Sequence, residues 1–130
     1  MKKIIFVLLL TLASLNATVI NQYPTQNILN SHTPIVDIRT PQEWKETGIL
    51  KGAIPIMFFK PDGSYNIEQF LNELNKKVDT KKTFAIICRT ASRTTMLSGF
   101  LSKELGYKVI NLSGGMVYAK SKNLTIVPFK

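Results

Sequence analysis

The chain has 130 residues and a mass of 14.6 kDa, and 45% of its residues are hydrophobic while 19% are charged. This length provides one globular domain and excludes two independent hydrophobic cores. Glycine and proline usage is ordinary and no repeat recurs, which excludes collagen-like, low-complexity and solenoid architectures. Seventeen basic and eight acidic residues give a net charge of +9, which by itself favours an anionic partner.

The N-terminal segment has the pattern of a secretory signal peptide. A short basic start is followed by an apolar run of twelve positions, Ile4 to Leu15, and then by small residues ending at Ala17. The small residues predict cleavage near Ala17. Because spanning a bilayer takes about twenty apolar residues, we predict no stable membrane anchor. We therefore predict that residues 1–17 are a signal peptide and that the mature protein is periplasmic or secreted. Cleavage leaves a net charge of +7 on 113 residues.

The remaining basic residues do not form a nucleic-acid-binding pattern. Lys76–Lys77 and Lys81–Lys82 flank a turn, the other lysines are scattered, and no aromatic residues are interleaved with them. We therefore expect solvated surface lysines and no nucleic-acid partner.

The first part of the domain predicts a strand followed by a short helix. Pro34–Ile38 is an apolar run rich in β-branched residues, which is typical of a buried strand. Thr40 and Glu43 have the spacing of a capping box, with Pro41 at the first helical position. The helix should therefore begin at Pro41 and end at Gly48.

The middle of the chain predicts an edge strand, a turn and a longer helix. Ala53–Ile56 is a short apolar segment whose Pro55 cannot donate to a neighbouring strand, so we place it at a sheet edge. Pro61–Gly63 predicts a turn. Apolar residues then recur at helical spacing from Asn66 to Val78. The predicted core-facing positions of this helix are Ile67, Phe70, Leu71, Leu74 and Val78.

The last part of the chain predicts two more strands with helices between them. Thr83–Cys88 is apolar almost throughout, which indicates a central, parallel strand. A helix should begin near Thr94 and end at Gly106, and a strand at Lys108–Leu112 should precede a short helix opened by two glycines. Thr125–Val127 is predicted to close a sheet edge. The predicted buried positions of the helix after Thr94 are Met96, Leu97, Phe100, Leu101 and Leu105.

Strand and helix signals that alternate in this way predict an α/β fold, a three-layer sandwich with a central, mainly parallel sheet flanked by helices. We assign the domain to residues 33–130 and regard residues 18–32 as an N-terminal lead-in.

The only cysteine, Cys88, ends the strongest predicted strand, where ligands bind in open parallel sheets. A six-residue stretch from Cys88 to Arg93 leads into a helix, so backbone N–H groups and the helix dipole should form an anion site there. Arg89 and Arg93 lie on either side of this site, and this environment favours the thiolate form of the cysteine. The alternative is an inert cysteine that only completes an apolar strand.

Two chemistries use a thiolate in an anion-binding loop: phosphate-ester hydrolysis through a cysteinyl phosphate, and sulfur transfer through a persulfide. Cysteine-dependent phosphatases have the spacing C-x5-R, whereas Cys88 and Arg93 have the spacing C-x4-R. The smaller ring suits a single sulfur atom better than a phosphoryl group. Sulfur transfer is therefore favoured, and a phosphatase remains an alternative.

Four segments in order resemble the single-domain rhodaneses, which are thiosulfate or polysulfide sulfurtransferases. They are IVDIRTPQEW (Ile35–Trp44), GILKGAIPI (Gly48–Ile56), CRTASRT (Cys88–Thr94) and LGYKVINLSGGM (Leu105–Met116). Two positions depart from the family pattern: Gly48-Ile49-Leu50 lacks the usual histidine, and Ala119 replaces the usual tryptophan.

The resemblance implies roles for individual residues. Cys88 corresponds to the nucleophile that carries the persulfide. The loop residues whose backbone N–H groups would hold the outer sulfur are Arg89, Thr90, Ala91, Ser92 and Arg93. Asp37 and Arg39 match a D-x-R segment, and we interpret them, with Glu43, as mainly structural links between the strand end and the short helix.

The resemblance also implies the reaction: sulfane sulfur moves from thiosulfate or polysulfide to an external thiol, a partner protein or cyanide. No cofactor is implied. The single histidine, His32, lies well before the loop, so we expect no metal site. A non-enzymatic periplasmic sulfur carrier or redox-docking module is the second alternative.

Overall fold

A five-stranded sheet forms the centre of the structure, a computed structural model that describes residues 18–130. Every pair of neighbouring strands in this sheet is parallel. The predicted signal peptide lies outside the described residues. From one edge to the other, the strands are β1 (Val19–Gln22), β6 (Val109–Leu112), β5 (Phe84–Ile87), β2 (Ile35–Asp37) and β4 (Ile54–Pro55).

Helices cover both faces of the sheet, which confirms the predicted α/β fold of three layers. One face packs against α3 (Ile67–Lys77) and α4 (Ser92–Leu105). The other face packs against α1 (Gln26–Asn30), α2 (Pro41–Thr47) and α5 (Gly115–Ser121). In residues 18–130 no helix combines the length and the apolar character that crossing a membrane requires.

Strand β5 lies in the middle of the sheet, as its apolar sequence predicts. Phe84 and Ile86 pack into the core beneath α3 and α4, whereas Ala85 and Ile87 pack into the core on the opposite face. All four side chains are fully buried. A strand with helices on both faces has no solvent-facing side, so its sequence shows no polar alternation.

Residues 18–32 contribute to the sheet, although we predicted a lead-in before a domain that starts at residue 33. Strand β1 pairs in parallel with β6 at the sheet edge, and α1 is capped by the side chain of Thr25. The sheet therefore begins earlier in the chain than the predicted domain. The sequence signal is weak because β1 has only two apolar residues and lies at an edge.

The C-terminal strand also differs from the prediction. Instead of closing an edge of the main sheet, β7 (Ile126–Val127) pairs antiparallel with β3 (Ile49–Leu50). The two-stranded sheet that they form packs against the core on the α2 and α5 side. Its strands have two residues each, too few for periodicity to reveal them.

Helix α4 faces the sheet with a different side from the one predicted, and it begins at Ser92, two residues before the predicted start. Met96 is 63% exposed, and Phe100 and Leu105 also lie at the surface, so their predicted burial is wrong. Small hydroxyl residues occupy part of the buried face instead. The buried residues of α4 are Thr94, Leu97, Ser98, Leu101 and Ser102.

Candidate active site

The candidate site lies where the neighbouring strands β5 and β2 end. Cys88 directly follows β5, and the N–H of Ile38, directly after β2, donates to the carbonyl oxygen of Ile87 at 3.0 Å. The Cys88 side chain lies on the α4 side of the sheet, and the residue is a fully buried free cysteine. The sequence correctly placed this thiol at the carboxyl edge of the sheet, the position where ligands bind in such folds.

The first turn of α5 holds the backbone of Cys88 and Arg89. The N–H of Met116 donates to the Cys88 carbonyl at 2.9 Å, and the N–H of Val117 donates to the Arg89 carbonyl at 3.1 Å. Gly115 allows this approach, because a Cβ atom there would lie 2.5 Å from both carbonyl oxygens. Helix α5, which the two glycines open, therefore fixes the backbone at the start of the cysteine loop.

The end of the loop has an unusual backbone conformation. Ala91, the N-cap of α4, has φ 76° and ψ 1°, in the left-handed region. A left-handed residue before a helix turns consecutive N–H groups towards one point and forms an anion-binding concavity. Whereas Thr25, Thr40 and Asn66 cap other helices with their side chains, alanine has no side-chain acceptor. The first N–H groups of α4 are therefore not capped by Ala91 and can bind an anion.

Arg93 forms a bidentate ion pair with Glu43. Its Nη1 and Nη2 donate to Oε1 and Oε2 of Glu43 at 2.7 and 2.8 Å. The hydrogen bonds from Arg93 hold the pKa of Glu43 below its ordinary value, and the same hydrogen bonds raise the pKa of Arg93. The Arg93 guanidinium thus points to α2, and its charge is balanced by a carboxylate.

Glu43 has a second role at the start of α2. It completes the predicted capping box with Thr40: the Thr40 hydroxyl accepts from the Glu43 N–H, and the Glu43 carboxylate accepts from the Thr40 N–H. We predicted that Glu43 joins the strand end to the helix. The geometry extends this interpretation, because the same carboxylate also joins α2 to the cysteine loop.

Asp37 and Arg39 form a buried ion pair beneath this arrangement. The Arg39 Nη2 donates to the Asp37 Oδ2 at 2.7 Å and to the Gly48 carbonyl at 2.7 Å. Trp44 donates its indole N–H to Asp37, and Thr47 accepts from Arg39. These contacts hold the middle and the C-terminal end of α2 against the end of β2.

Two surface clefts are both lined by Glu43, and Arg93 lines the larger of them. The larger, of about 470 Å³, is bordered by Ser92, Met96, Phe59 and Lys60. The smaller, of about 230 Å³, is bordered by Arg89 and by residues of α2 and α5. Arg89 and Thr90 are exposed, whereas Arg93 is half-buried. Of the two arginines predicted to lie beside the anion site, Arg89 is therefore the one with a side chain at the surface.

The sequence analysis assigned no role to Thr94, which contacts the thiol. The Thr94 Oγ1 lies 3.6 Å from the Cys88 Sγ, and Thr94 is fully buried. A signal was present in the sequence: a threonine in the first turn of a helix can turn its hydroxyl back to the preceding loop. The sequence analysis named Thr94 only as the approximate helix start and as the last residue of the CRTASRT segment.

No cluster of three or more histidine, cysteine, aspartate or glutamate side chains that could hold a metal occurs within residues 18–130. His32 is exposed. The structure brings together at this site the Cys88 thiol, the first backbone N–H groups of α4 and the Thr94 hydroxyl.

Residues 21–122, nearly the whole of the described chain, match the rhodanese-like domain family. The chain belongs to the rhodanese-like family. This confirms the resemblance on which the residue roles were based. It supports a sulfurtransferase-like family for this protein, whose rhodanese-like domain contains the cysteine loop described above.

Relatives of known sequence or structure agree with this assignment. The uncharacterized protein RP600 of Rickettsia prowazekii is 36% identical over 92 residues, which are 68% of this chain and 72% of that protein. A rhodanese-like domain protein from Staphylococcus aureus has a similar structure, with a TM-score of 0.58, 21% identity and coverage of 85% of this chain and 98% of that one. A rhodanese-related protein from Thermoplasma volcanium has a TM-score of 0.59, 22% identity and coverage of 82% and 97%. These two structures show the shared fold.

The two positions that depart from the rhodanese family pattern are packing positions. Ile49, in the segment without the usual histidine, and Ala119, at the position of the usual tryptophan, are both buried in the core on the α5 side. Neither residue touches the cysteine loop through a hydrogen bond or ion pair of its side chain, because both side chains are apolar.

Proposed function

We propose that this rhodanese-like protein is a sulfurtransferase that carries sulfane sulfur as a persulfide on Cys88. The observation that supports the proposal best is the position of Cys88 at the base of a C-x4-R loop that ends in the uncapped first turn of α4. Backbone N–H groups that converge there would stabilise the negative charge of a terminal sulfur atom.

The first half-reaction loads the cysteine. The Cys88 thiolate attacks the outer sulfur of thiosulfate, a sulfur–sulfur bond forms, and sulfite leaves with the electron pair of the broken bond. A polysulfide would react in the same way and leave as a shorter polysulfide. The product is a persulfide whose negative charge lies on the outer sulfur.

The second half-reaction needs an acceptor from outside the chain. Cys88 is the only cysteine, so no second thiol of this protein can attack the persulfide. An external thiolate, a cysteine of a partner protein or cyanide would attack the outer sulfur and restore the Cys88 thiolate. The proposed partners are therefore a small sulfur anion and an external acceptor.

Intact mass spectrometry tests the loading step. Incubation of the purified protein with thiosulfate should add the mass of one sulfur atom, and cyanide should remove it as thiocyanate. Cys88→Ser should neither load sulfur nor produce thiocyanate. A wild-type protein that gains no mass, or a Cys88→Ser variant with full thiocyanate production, would contradict the proposal.

The burial of the whole Cys88 residue favours a second candidate, a non-enzymatic sulfur carrier. A carrier would load sulfur once and release it only to a docked partner, whereas an enzyme would turn over repeatedly with cyanide or small thiols. Comparison of steady-state turnover with a single loading event distinguishes the two. Hydrolysis of an aryl phosphate, abolished by Cys88→Ser, would instead indicate the phosphatase alternative.

We also propose that the protein acts after export to the periplasm or outside the cell. The support is the signal-peptide pattern of residues 1–17. N-terminal sequencing of the protein from the native host should give a mature chain that begins after about Ala17, and an intact N-terminus on cytoplasmic protein would contradict export.

A further inference from the structure

The hydroxyl of Thr94 has two acceptors within reach. Its Oγ1 lies 3.2 Å from the Ala91 carbonyl oxygen and 3.6 Å from the Cys88 Sγ, and either sulfur or oxygen can be the donor in the second contact. A contact of this length is a hydrogen-bonding distance for sulfur, which has a larger radius than oxygen. Thr94 and Cys88 are both fully buried, so this contact is shielded from bulk solvent.

The Ala91 carbonyl does not depend on Thr94. It also accepts from the backbone N–H of Thr95 at 2.9 Å and from the Thr95 hydroxyl at 2.7 Å. The Thr94 proton can therefore rotate from Ala91 to the sulfur and leave no buried carbonyl unpaired. This change moves a hydrogen atom and requires no movement of the heavier atoms.

We propose that Thr94 is a catalytic residue that donates a hydrogen bond to the Cys88 Sγ whenever this sulfur is a thiolate, and thereby speeds release of the carried sulfur. The inference rests on the proposed sulfur transfer. In the persulfide, the negative charge lies on the outer sulfur, and Sγ is a weak acceptor. The Thr94 hydroxyl then donates to Ala91, and it returns to Sγ when the charge returns there.

The discharge step shows where this hydrogen bond acts. An acceptor thiolate attacks the outer sulfur, the new sulfur–sulfur bond forms, and the bond to Sγ breaks. Its electron pair stays on Sγ, so Cys88 leaves as a thiolate, the acceptor becomes a persulfide, and charge is conserved. A donor already positioned at Sγ stabilises the charge that develops there in the transition state.

Thr94→Val keeps the shape of the side chain and removes the donor. Because a hydrogen bond to a charged group contributes more than a neutral one, we expect discharge to slow by about tenfold. The empty thiolate also loses stability relative to the persulfide. At a fixed ratio of thiosulfate to sulfite, the equilibrium should therefore shift towards the loaded enzyme by a similar factor.

The experiment uses the full mature chain. Each variant is loaded with thiosulfate, desalted and mixed with 2-mercaptoethanol, and the loss of persulfide is followed by rapid alkylation and intact mass spectrometry. The loading equilibrium is measured separately in mixtures of thiosulfate and sulfite, at the same pH for every variant. Slower discharge together with a higher loaded fraction is the expected result, and damage to the loop would instead lower both.

Matched variants separate this role from a structural one. Thr94→Ser keeps a hydroxyl and should retain most of the discharge rate. Thr95→Val removes a hydroxyl that donates to Ala91 and accepts from Asn111, but it removes none from the sulfur, and it should discharge like the wild type. Thr94→Ala provides a second variant without the donor in case valine prevents folding.

The outcomes can be told apart. Wild-type discharge by a folded Thr94→Val or Thr94→Ala variant would overturn the role of Thr94 and leave the proposed function standing. Equal slowing by Thr95→Val would do the same, because it would assign the effect to the hydrogen bonds of the first turn of α4 and not to the contact with the sulfur. Wild-type protein that never loads sulfur would overturn the proposed function, and the role of Thr94 with it.

Discussion

Arg93 and Glu43 join the cysteine loop to helix α2 through two parallel hydrogen bonds of 2.7 and 2.8 Å. A bidentate pair of this kind fixes the plane of the guanidinium as well as its distance from the carboxylate. Because Glu43 also closes the capping box with Thr40, the orientation of Arg93 depends on the correct start of α2. The loop geometry is therefore determined in part by residues fifty positions earlier in the chain.

Glu43→Gln should affect sulfur loading more than stability. The two side chains of the pair are 24% and 25% exposed, so the loss of the ion pair should cost about 1 kcal/mol or less of unfolding free energy. Arg93 would lose its second carboxylate oxygen and with it a fixed orientation, which should slow persulfide formation. Urea unfolding and the rate of mass gain with thiosulfate measure the two effects. Glu46→Gln, also on α2 but exposed, is the control and should change neither.

Acid should remove the contribution of the Glu43 charge to stability. Its folded-state pKa is lowered below the ordinary value of 4.5, chiefly by the hydrogen bonds from Arg93. A lowered carboxyl pKa contributes stability that is present above the unfolded value and is lost as pH falls through the folded value. The difference in unfolding free energy between the wild type and Glu43→Gln should therefore shrink below pH 4.5. A difference that stays constant into the acid range would contradict this assignment.

The sequence was most informative where local chemistry determines structure. The capping box at Thr40, the helix end at Gly48 and the apolar run of β5 all depend on neighbouring residues, and the structure agrees with each. The position of Cys88 follows in the same way, because it is one residue beyond that run. These features do not require knowledge of what packs against them.

The predictions of buried side chains failed where contacts between residues distant in sequence determine which side of a helix faces the core. On α4, Leu97 and Leu101 are buried as predicted, but Thr94 and Ser98 fill the positions that Met96 and Phe100 were expected to take. Thr94 and Ser98 satisfy their hydroxyls on carbonyls one turn back, so burial costs them little. Buried hydroxyl residues give no apolar periodicity in the sequence, and the contact of Thr94 with the thiol was not predicted for this reason.

Asp37→Asn should destabilise the protein strongly. The substitution leaves the Arg39 guanidinium buried without its counter-charge, which typically costs about 3 to 5 kcal/mol. Chemical denaturation should show this loss as a lower midpoint. Glu68→Gln, an exposed carboxylate in the first turn of α3, is the control, and its effect should stay within about 0.5 kcal/mol. Equal losses of unfolding free energy in the two variants would show that the buried ion pair contributes no more stability than an exposed carboxylate.

Gly115→Ala should disrupt the cysteine loop. The added Cβ would lie 2.5 Å from the carbonyl oxygens of Cys88 and Arg89, and both are backbone atoms that cannot move aside cheaply. We expect a loss of about 2 kcal/mol or more and a large decrease in sulfur loading, because α5 can no longer hold the loop.

Gly99→Ala is the matched control for this substitution. Gly99 lies in α4, and its added Cβ would have no neighbour within 4 Å. Since alanine favours the helix over glycine, this variant should gain about 1 kcal/mol and load sulfur normally. Thermal unfolding and intact mass spectrometry of both variants provide the comparison. Unchanged sulfur loading by Gly115→Ala would contradict the role of α5 in holding the cysteine loop.

Ala91→Gly should be tolerated or stabilising, although it removes a buried methyl group. Ala91 has φ 76°, a conformation that costs a residue with a Cβ about 1 to 2 kcal/mol. Glycine removes this strain but adds freedom to the unfolded chain, so we expect a net gain of about 0.5 kcal/mol. Ala119→Gly, a buried helical alanine in α5, should instead lose at least about 1 kcal/mol. Because Ala91→Gly keeps the backbone N–H, thiosulfate should still load Cys88 at the wild-type rate. A loss of stability equal to that of Ala119→Gly would show that the left-handed conformation of Ala91 stores no strain.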